Sequence, residues 1–186
     1  MKPFIKLILI LTCLQLTACE KEGWSNGDPA MEHVYYFGFE QWGYDETKKG
    51  NNNVLNFNVE QGQTVEIKMQ FWCEFVRSYD VETYYYVTDE LKRGTDFEVV
   101  DANGQVLQPD ADGAFKLVWP NAKKGVQSVY IKALNGAKGS FNLQTFNPNS
   151  TVELSNQDVT STIQNKTDNY EVRVFTQNYK AKINVN

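Results

Sequence analysis

The sequence predicts an all-β domain, a sandwich or a barrel, that follows an apolar N-terminal leader. Three observations support this prediction. Most segments beyond residue 31 alternate apolar and polar residues with period two, which is typical of half-buried strands. Turn-forming clusters rich in Gly, Asn and Asp separate these segments at regular intervals. The apolar periodicity of helices is absent from them, so the domain is expected to consist of strands and turns.

The clearest predicted strand runs from Thr64 to Phe75. One face is apolar and is predicted to lie in the core: Val65, Ile67, Met69, Phe71, Cys73 and Phe75. Cys73 is therefore predicted to be an inert buried thiol, because no neighbouring histidine or cation would activate it. Trp72 falls on the opposite, polar face, where it either pairs with cross-strand aromatic residues or is exposed.

The same alternation predicts strands at residues 33–39, 54–59, 81–87, 97–100, 114–119, 126–134, 141–146, 170–175 and 180–185. Two turns are predicted to close hairpins. Residues 61–63 would join strand 54–59 to the long strand, and residues 176–179 would join the last two strands. Residues 147–169 are polar, with weak strand character at 152–154 and 159–163, and are predicted to form a long excursion or an edge hairpin.

The N-terminus has the features of a signal peptide over residues 1–18. Lys2 and Lys6 precede an apolar run that ends at Leu16-Thr17-Ala18-Cys19. A transmembrane helix would need about 20 apolar residues, and this run is shorter. The four closing residues resemble a bacterial lipobox. That resemblance implies that Cys19 carries the lipid and that the mature chain is anchored to a membrane through it.

Residues 19–31 are predicted to be a flexible tether, and residues 32–186 the β-sandwich domain, because hydrophobic periodicity begins only beyond the tether. Glu20 and Glu22, close to the lipid cysteine, resemble the surface-export signal of lipoproteins in the Bacteroidetes. This resemblance implies an outer-membrane protein on the cell surface, with the periplasmic face as the alternative.

Charge and cysteine content argue against two classes of protein, nucleic-acid-binding proteins and domains stabilised by disulfides. The formal net charge is −5, so a basic surface that would neutralise nucleic-acid phosphates is not expected, and nucleic acid is not a predicted partner. Of the three cysteines, Cys13 leaves with the leader and Cys19 carries lipid, which leaves Cys73 alone. No disulfide is predicted in the mature chain, so its stability must come from the apolar core.

An ordered series of segments lies in the middle of the chain. It consists of Arg93-Gly94-Thr95-Asp96-Phe97, Phe115-Lys116-Leu117, Val129-Tyr130-Ile131-Lys132 and Ser140-Phe141-Asn142-Leu143. The series, over about residues 54–146, resembles the Calx-beta type of immunoglobulin-like repeat. The resemblance implies an immunoglobulin-like antiparallel β-sandwich. Such sandwiches occur on Bacteroidetes lipoproteins encoded beside glycan-uptake machinery, which implies an accessory glycan-binding role.

Neither a metal site nor a catalytic site is predicted. The nearest counterpart of a family calcium site is Asp110-Ala111-Asp112-Gly113, but the twelfth position of an EF-hand-like loop would be Asn121, and an Asp-Gly turn explains the motif. His33 is the single histidine, and no Gly-x-Ser-x-Gly motif accompanies it. No cofactor is predicted, and the chain is expected not to be an enzyme.

The candidate ligand-binding residues are aromatic: Trp42, Tyr44, Trp72, Tyr84 and Tyr86. Such rings stack on sugar faces while Asn, Gln and Asp neighbours bind hydroxyl groups. The same rings could instead form cross-strand ladders. The first hypothesis is a membrane-anchored, non-enzymatic lipoprotein that binds polysaccharide. The alternative is a structural or assembly lipoprotein that binds another envelope protein through a sheet edge or an aromatic patch.

Overall fold

A computed structural model describes residues 29–40, 55–88, 90–149, 162–174 and 179–186. The chain divides into two compact units, Met1–Glu32 and His33–Asn186. The described part of the first unit contains a 3-10 turn at Pro29–Met31. The predicted leader, Cys19 and most of the predicted tether lie outside the described residues. Within the described ranges, none of the helices has the length and apolar content needed to cross a bilayer.

Besides a 3-10 turn at Pro120–Ala122, the second unit contains eleven strands among the described residues. They are β1 (Val34–Phe39), β2 (Leu55–Val59), β3 (Thr64–Trp72), β4 (Val81–Val87), β5 (Phe97–Val100), β6 (Phe115–Trp119), β7 (Gly125–Ala133), β8 (Gly139–Gln144), β9 (Thr162–Lys166), β10 (Glu171–Val174) and β11 (Lys180–Val185). Sheet I has the order β5-β7-β3-β1-β10-β9, and sheet II has the order β2-β11-β8-β4-β6. The inner faces of both sheets contribute to one apolar core.

The predicted all-β sandwich is confirmed, and each of the ten strands predicted from alternation corresponds to an observed one. The weak strand character predicted at residues 152–154 lies outside the described residues. Seven of the nine strand pairs formed by described residues are antiparallel. The other two, β1 with β10 and β2 with β11, are parallel. Each parallel pair brings an early strand beside one of the last two, so the C-terminal strands complete both sheets.

Both predicted hairpins are wrong. β2 lies in sheet II and β3 in sheet I, and β10 and β11 are divided between the sheets in the same way. In the turn after β2, the Gly62 amide donates to the Ala133 carbonyl at 3.1 Å, and the Asn186 amide donates to the Val59 carbonyl at 3.1 Å. The first bond joins the turn to β7 of sheet I, and the second joins β2 to the residue that follows β11 in sheet II. The turn therefore carries the chain from sheet II to sheet I.

The long strand ends earlier than predicted. β3 ends at Trp72, which pairs with Tyr36 of β1. On the other side, the last residue of β3 that pairs with β7 is Phe71, which lies opposite Gly125. Beyond this point no sheet supports the alternation. Phe75, predicted to be in the core, is 46% exposed. Cys73, predicted to be buried, is half-buried, and burial raises the pKa of its thiol.

Aromatic pairs fill the core between the sheets. Phe71 of sheet I stacks on Trp119 of sheet II with ring centroids 5.1 Å apart. The Trp119 indole N–H donates to the Thr83 hydroxyl at 2.9 Å, and both residues are buried. This bond joins β6 to β4 on the core side of sheet II. Losing it would cost stability, because the indole N–H would then be buried without an acceptor.

Sheet II opens between β4 and β8, which pair only at Tyr86 and Val87. Nearer the start of β4, side chains replace the missing strand. The Tyr84 amide donates to Gln164 Oε1 at 2.9 Å, and Gln164 Nε2 donates to the Tyr84 carbonyl at 2.7 Å. At Glu82 the amide donates to the Tyr170 hydroxyl, and the carbonyl accepts from Asn165 Nδ2, both at 3.1 Å. Residues from β9 and the start of β10 thus close this side of β4.

Candidate functional site

A row of side chains crosses the outer face of sheet I, and we call it the aromatic row: Trp72, Tyr36, Arg173 and Ile163. Strand register places them side by side, since Tyr36 pairs with both Trp72 and Arg173, and Arg173 pairs with Ile163. Their chain neighbours Phe37, Phe71 and Val172 are buried, so the row faces outward by the alternation of strands. Tyr36 and Trp72 are half-buried, and Ile163 is 47% exposed.

Charged groups fix one end of the aromatic row. Glu171 accepts a hydrogen bond from Arg173 Nε at 2.5 Å and lies 3.0 Å from Lys166 Nζ. Partial burial opposes ionisation of Glu171, but the two cations outweigh it and hold the pKa of this carboxyl below its usual value. The Arg173 guanidinium is therefore held in place beside Tyr36.

Further apolar surface adjoins the row. Val126 is 43% exposed and pairs with Gln70 on the same outer face. Phe75 and Val76 follow Trp72 in the chain and are also exposed, with the Arg77 guanidinium 5.4 Å from the Phe75 ring centroid. Exposed apolar groups clustered around aromatic residues are typical of binding surfaces.

The outer face of sheet II carries the other two described candidates. Tyr84 and Tyr86 point away from the core, because Val81, Thr83 and Tyr85 between and beside them are buried. The Tyr84 hydroxyl donates to Glu82 Oε2 at 2.9 Å. Burial and the Glu82 charge raise the pKa of Tyr84 to about 12. Burial and the charges of Asp110 and Asp112 raise the pKa of Tyr86.

The structure therefore does not bring the described candidates together. Trp72 lies on the outer face of sheet I, whereas Tyr84 and Tyr86 lie on the outer face of sheet II. Trp42 and Tyr44 lie outside the described residues. The partners of Trp72 in the aromatic row were missed, although the alternation of residues 33–39 would have placed Tyr36 outward, between Tyr35 and Phe37.

A second surface, which the sequence did not indicate, lies along the side of the sandwich where β6 ends sheet II. A groove of about 340 Å³ separates β6 from β7 and from the loop after β5. Its lining includes Val100, Leu107, Leu117, Gln127 and Tyr130. Gln127 Nε2 crosses to the carbonyl of Val118 on β6 at 2.7 Å. We call this feature the edge groove.

Chemical groups typical of catalysis do not converge in the described part of the chain. His33 Nδ1 lies 2.8 Å from the Tyr79 hydroxyl, which lies 2.7 Å from the Tyr35 hydroxyl. This chain of polar groups joins β1 to the loop before β4. Among the described residues, no three His, Cys, Asp or Glu side chains are arranged to hold a metal ion. Asp110 Oδ1 accepts from the Asp112 and Ala114 amides, both at 2.9 Å, so it holds its own turn.

Comparison with known proteins gives weak structural likenesses. No protein-family model matches the chain, and no curated protein matches it. A chain of the CaDoc0917–CaCohA2 complex is 10% identical, with 82% of this chain and 99% of that chain covered at a TM-score of 0.35. The third ScaB cohesin of R. flavefaciens, solved in complex with a group 1 dockerin, is 9% identical over 83% and 95%, at 0.33.

A third solved structure, AvmM, which catalyses macrocyclization in alchivemycin A biosynthesis, is 13% identical. It covers 83% of this chain and 88% of its own, at a TM-score of 0.31. At these values the three likenesses carry no statement about binding or catalysis by this chain. The fold assignment rests on the strand pairing of the chain itself.

Proposed function

We propose that the chain is a non-enzymatic lipoprotein of the bacterial outer membrane that binds another envelope protein. The observation that carries this proposal is the aromatic row on the outer face of sheet I. Tyr, Trp and Arg are the residues most enriched among those that dominate binding energy at protein interfaces, and here one of each lies side by side. The accessory glycan-binding role becomes the second candidate.

The geometry of the row suits a protein surface. Its residues project from four adjacent strands, β3, β1, β10 and β9, so their positions are set by backbone hydrogen bonds rather than by a loop. Tyr36 and Trp72 are already half-buried against their neighbours, which lowers the entropy cost of ordering them on binding. Ile163 and Val126 supply apolar area beside them.

The lipid anchor is supported by Leu16-Thr17-Ala18-Cys19 alone. If Cys19 carries acyl chains, cells fed labelled palmitate should incorporate the label into the protein. The Cys19→Ala variant should remain unlabelled. Equal labelling of both proteins would refute the anchor without affecting the binding proposal.

Site-specific photocrosslinking tests the partner. A photoreactive phenylalanine analogue at Tyr36, in membranes of the native cell, should capture one discrete protein. The same analogue at Lys182, exposed on the outer face of sheet II, should not capture it. Adding Trp72→Ala should remove the product by removing the largest side chain of the row. Identical products from both positions, or none from Tyr36, would contradict the proposal.

Glycan binding is favoured by one specific feature, the adjacent rings of Trp72 and Tyr36, with Gln70 on the same strand as Trp72 and Arg173 opposite Tyr36. An aromatic ring bordered by an amide and a guanidinium matches the apolar face and hydroxyl edge of a sugar. In affinity electrophoresis, a polysaccharide that retards the protein but not Trp72→Ala would favour this function. Tyr84→Ala tests the candidate on the other outer face, so retardation that is lost in Trp72→Ala but kept in Tyr84→Ala would assign the sugar to sheet I.

A further inference from the structure

We infer that β6 pairs with β6 of a second copy of this chain, antiparallel and centred on Leu117, to form a homodimer with one continuous sheet. The pairing uses the edge of sheet II and leaves the aromatic row on sheet I uncovered. It therefore goes beyond the proposed function, and either can fail without the other.

The backbone of β6 is oriented for such pairing. Val118 lies opposite Glu82 on β4, and Lys116 lies opposite Tyr84. Glu82 and Tyr84 direct their amides and carbonyls away from β6, toward Tyr170, Asn165 and Gln164. In an antiparallel ladder, residues opposite them must also point outward, so Lys116 and Val118 direct their amides and carbonyls away from β4. The bond from Gln127 to the Val118 carbonyl confirms this direction.

β6 differs from the edge strand at the corresponding end of sheet I. The outer side of β5 is covered, since Val100 bridges to Val106 and the Leu107 amide donates to the Val99 carbonyl at 2.8 Å. No strand among the described residues pairs with the outer side of β6. Unpaired edges of this kind are templates for a strand from another chain.

Charge selects a second copy as the occupant. The turn before β6 carries Asp110 and Asp112, and the turn after it carries Lys123 and Lys124, all exposed. When two copies of β6 run antiparallel, each acidic turn lies beside the basic turn of the other copy. Such self-complementarity is what a twofold interface requires, because each residue type meets its opposite twice.

Centring the pair on Leu117 also satisfies the backbone. Lys116 of one copy then lies opposite Val118 of the other, and these outward-pointing residues exchange both hydrogen bonds. The Val118 carbonyl, which already accepts from Gln127, accepts the Lys116 amide with its second lone pair. Leu117 faces its own counterpart in a non-hydrogen-bonded pair, with Cα atoms about 4.5 Å apart. Leu117 lines the edge groove and is half-buried, so the pairing adds apolar contact there. Pro120 has no amide hydrogen, which ends the ladder.

One residue of β6 belongs to the type that protects edges. A lysine in an edge strand usually discourages pairing, and Lys116 lies in β6 next to its central residue Leu117. Its Nζ lies 2.8 Å from Glu82 Oε1, so the charge is neutralised within each copy. The pairing surface is short, five residues, and smaller than standard interfaces, so we expect a weak dimer with Kd on the order of 100 μM.

Cysteine crosslinking tests the register. In the full chain carrying Cys13→Ser, Cys19→Ser and Cys73→Ser, Leu117→Cys should form a disulfide-linked dimer on mild oxidation. The matched control is Val118→Cys on the same strand. Its two copies would lie about 8 Å apart, beyond the roughly 7 Å that a disulfide spans. Because Val118 is the more exposed residue, preferential crosslinking at Leu117 would reflect register rather than accessibility.

Charge reversal tests the partner. Asp112→Lys and Lys123→Glu should each raise the Kd about fivefold, since each creates two symmetry-related repulsions, and the double variant should restore it. Sedimentation of the full chain in detergent, from about 10 μM to about 1 mM, measures these constants. A chain that stays monomeric in this range and does not crosslink at Leu117 overturns the inference. So does a dimer whose Kd ignores both reversals, or one that crosslinks equally at Val118.

Discussion

The two outer sides of the β4–β6 strand pair differ in how their backbone amides and carbonyls are hydrogen-bonded. On the β4 side, where β8 turns away, the backbone groups of Glu82 and Tyr84 are bonded to side chains of Gln164, Asn165 and Tyr170. On the β6 side, within the part of the chain that the structure describes, the Gln127 side chain reaches the carbonyl of Val118. A side-chain amide carries the same donor and acceptor as a peptide group, so Gln164 substitutes for a strand. The chain closes the β4 side itself, whereas none of the described strands covers the β6 side, which we infer pairs with a second copy.

The largest expected effect comes from opening the closed side. Gln164→Ala removes both bonds to Tyr84 and a further bond that Gln164 Nε2 donates to the Thr145 carbonyl. At about 1 kcal/mol for each lost bond, the free energy of unfolding should fall by about 3 kcal/mol. Denaturation by urea, monitored by tryptophan fluorescence, measures this change.

Gln127→Ala is the matched control on the open side. It removes one bond to a carbonyl that water can reach, so the loss should be about 0.5 kcal/mol or less. If both substitutions cost the same, the two sides do not differ in the way proposed, and the open edge of β6 would need another explanation.

An intermediate effect is expected from the buried bond that joins the two strands. Thr83→Val keeps the shape of the side chain but leaves the Trp119 indole N–H without its acceptor in the core. The expected loss of stability is about 1–2 kcal/mol. Amide hydrogen exchange should speed up more at Leu117 of β6 than along β4, because side chains from β9 and the start of β10 still bond to β4. Thr83→Ser retains the hydroxyl and should restore most of the stability.

Strand positions could be predicted because alternation is a local property. Each strand buries one face, and the residues that show this are neighbours in the chain, as in Thr64 to Phe71. Sheet membership could not be predicted in this way. Whether residues 61–63 form a hairpin or a crossover depends on contacts with distant strands, such as the bond from the Gly62 amide to the Ala133 carbonyl. The wrong hairpins follow from using local turn chemistry for a non-local choice.

The candidate sites show the same limit. The outward direction of Trp72 follows from the sequence. Its neighbours in the aromatic row do not, because they depend on the pairing of Trp72 with Tyr36 and of Tyr36 with Arg173. Asp112 and Lys123 are visible as charged turns on both sides of a predicted strand. That they border an open edge follows only from the order of the strands in sheet II. Local residues are readable from sequence, and the neighbours that make them a site are not.

The expected effect that is smallest at neutral pH, where it vanishes, is the pH dependence of a polar group that spans both strands. Tyr84 of β4 donates to Glu82, which in turn binds Lys116 of β6. Burial and the Glu82 charge raise the pKa of Tyr84 from 10.0 to about 12 in the folded chain. Between these values the unfolded chain releases the proton and the folded chain keeps it, so stability present below pH 10 is lost as pH rises toward 12. Tyr84→Phe should reduce this alkaline loss, which denaturation at several pH values measures.

Glu82→Gln should let Tyr84 ionise at lower pH in an absorbance titration, while burial still keeps its pKa above 10. An unchanged Tyr84 titration in Glu82→Gln would show that Glu82 does not raise the pKa of Tyr84.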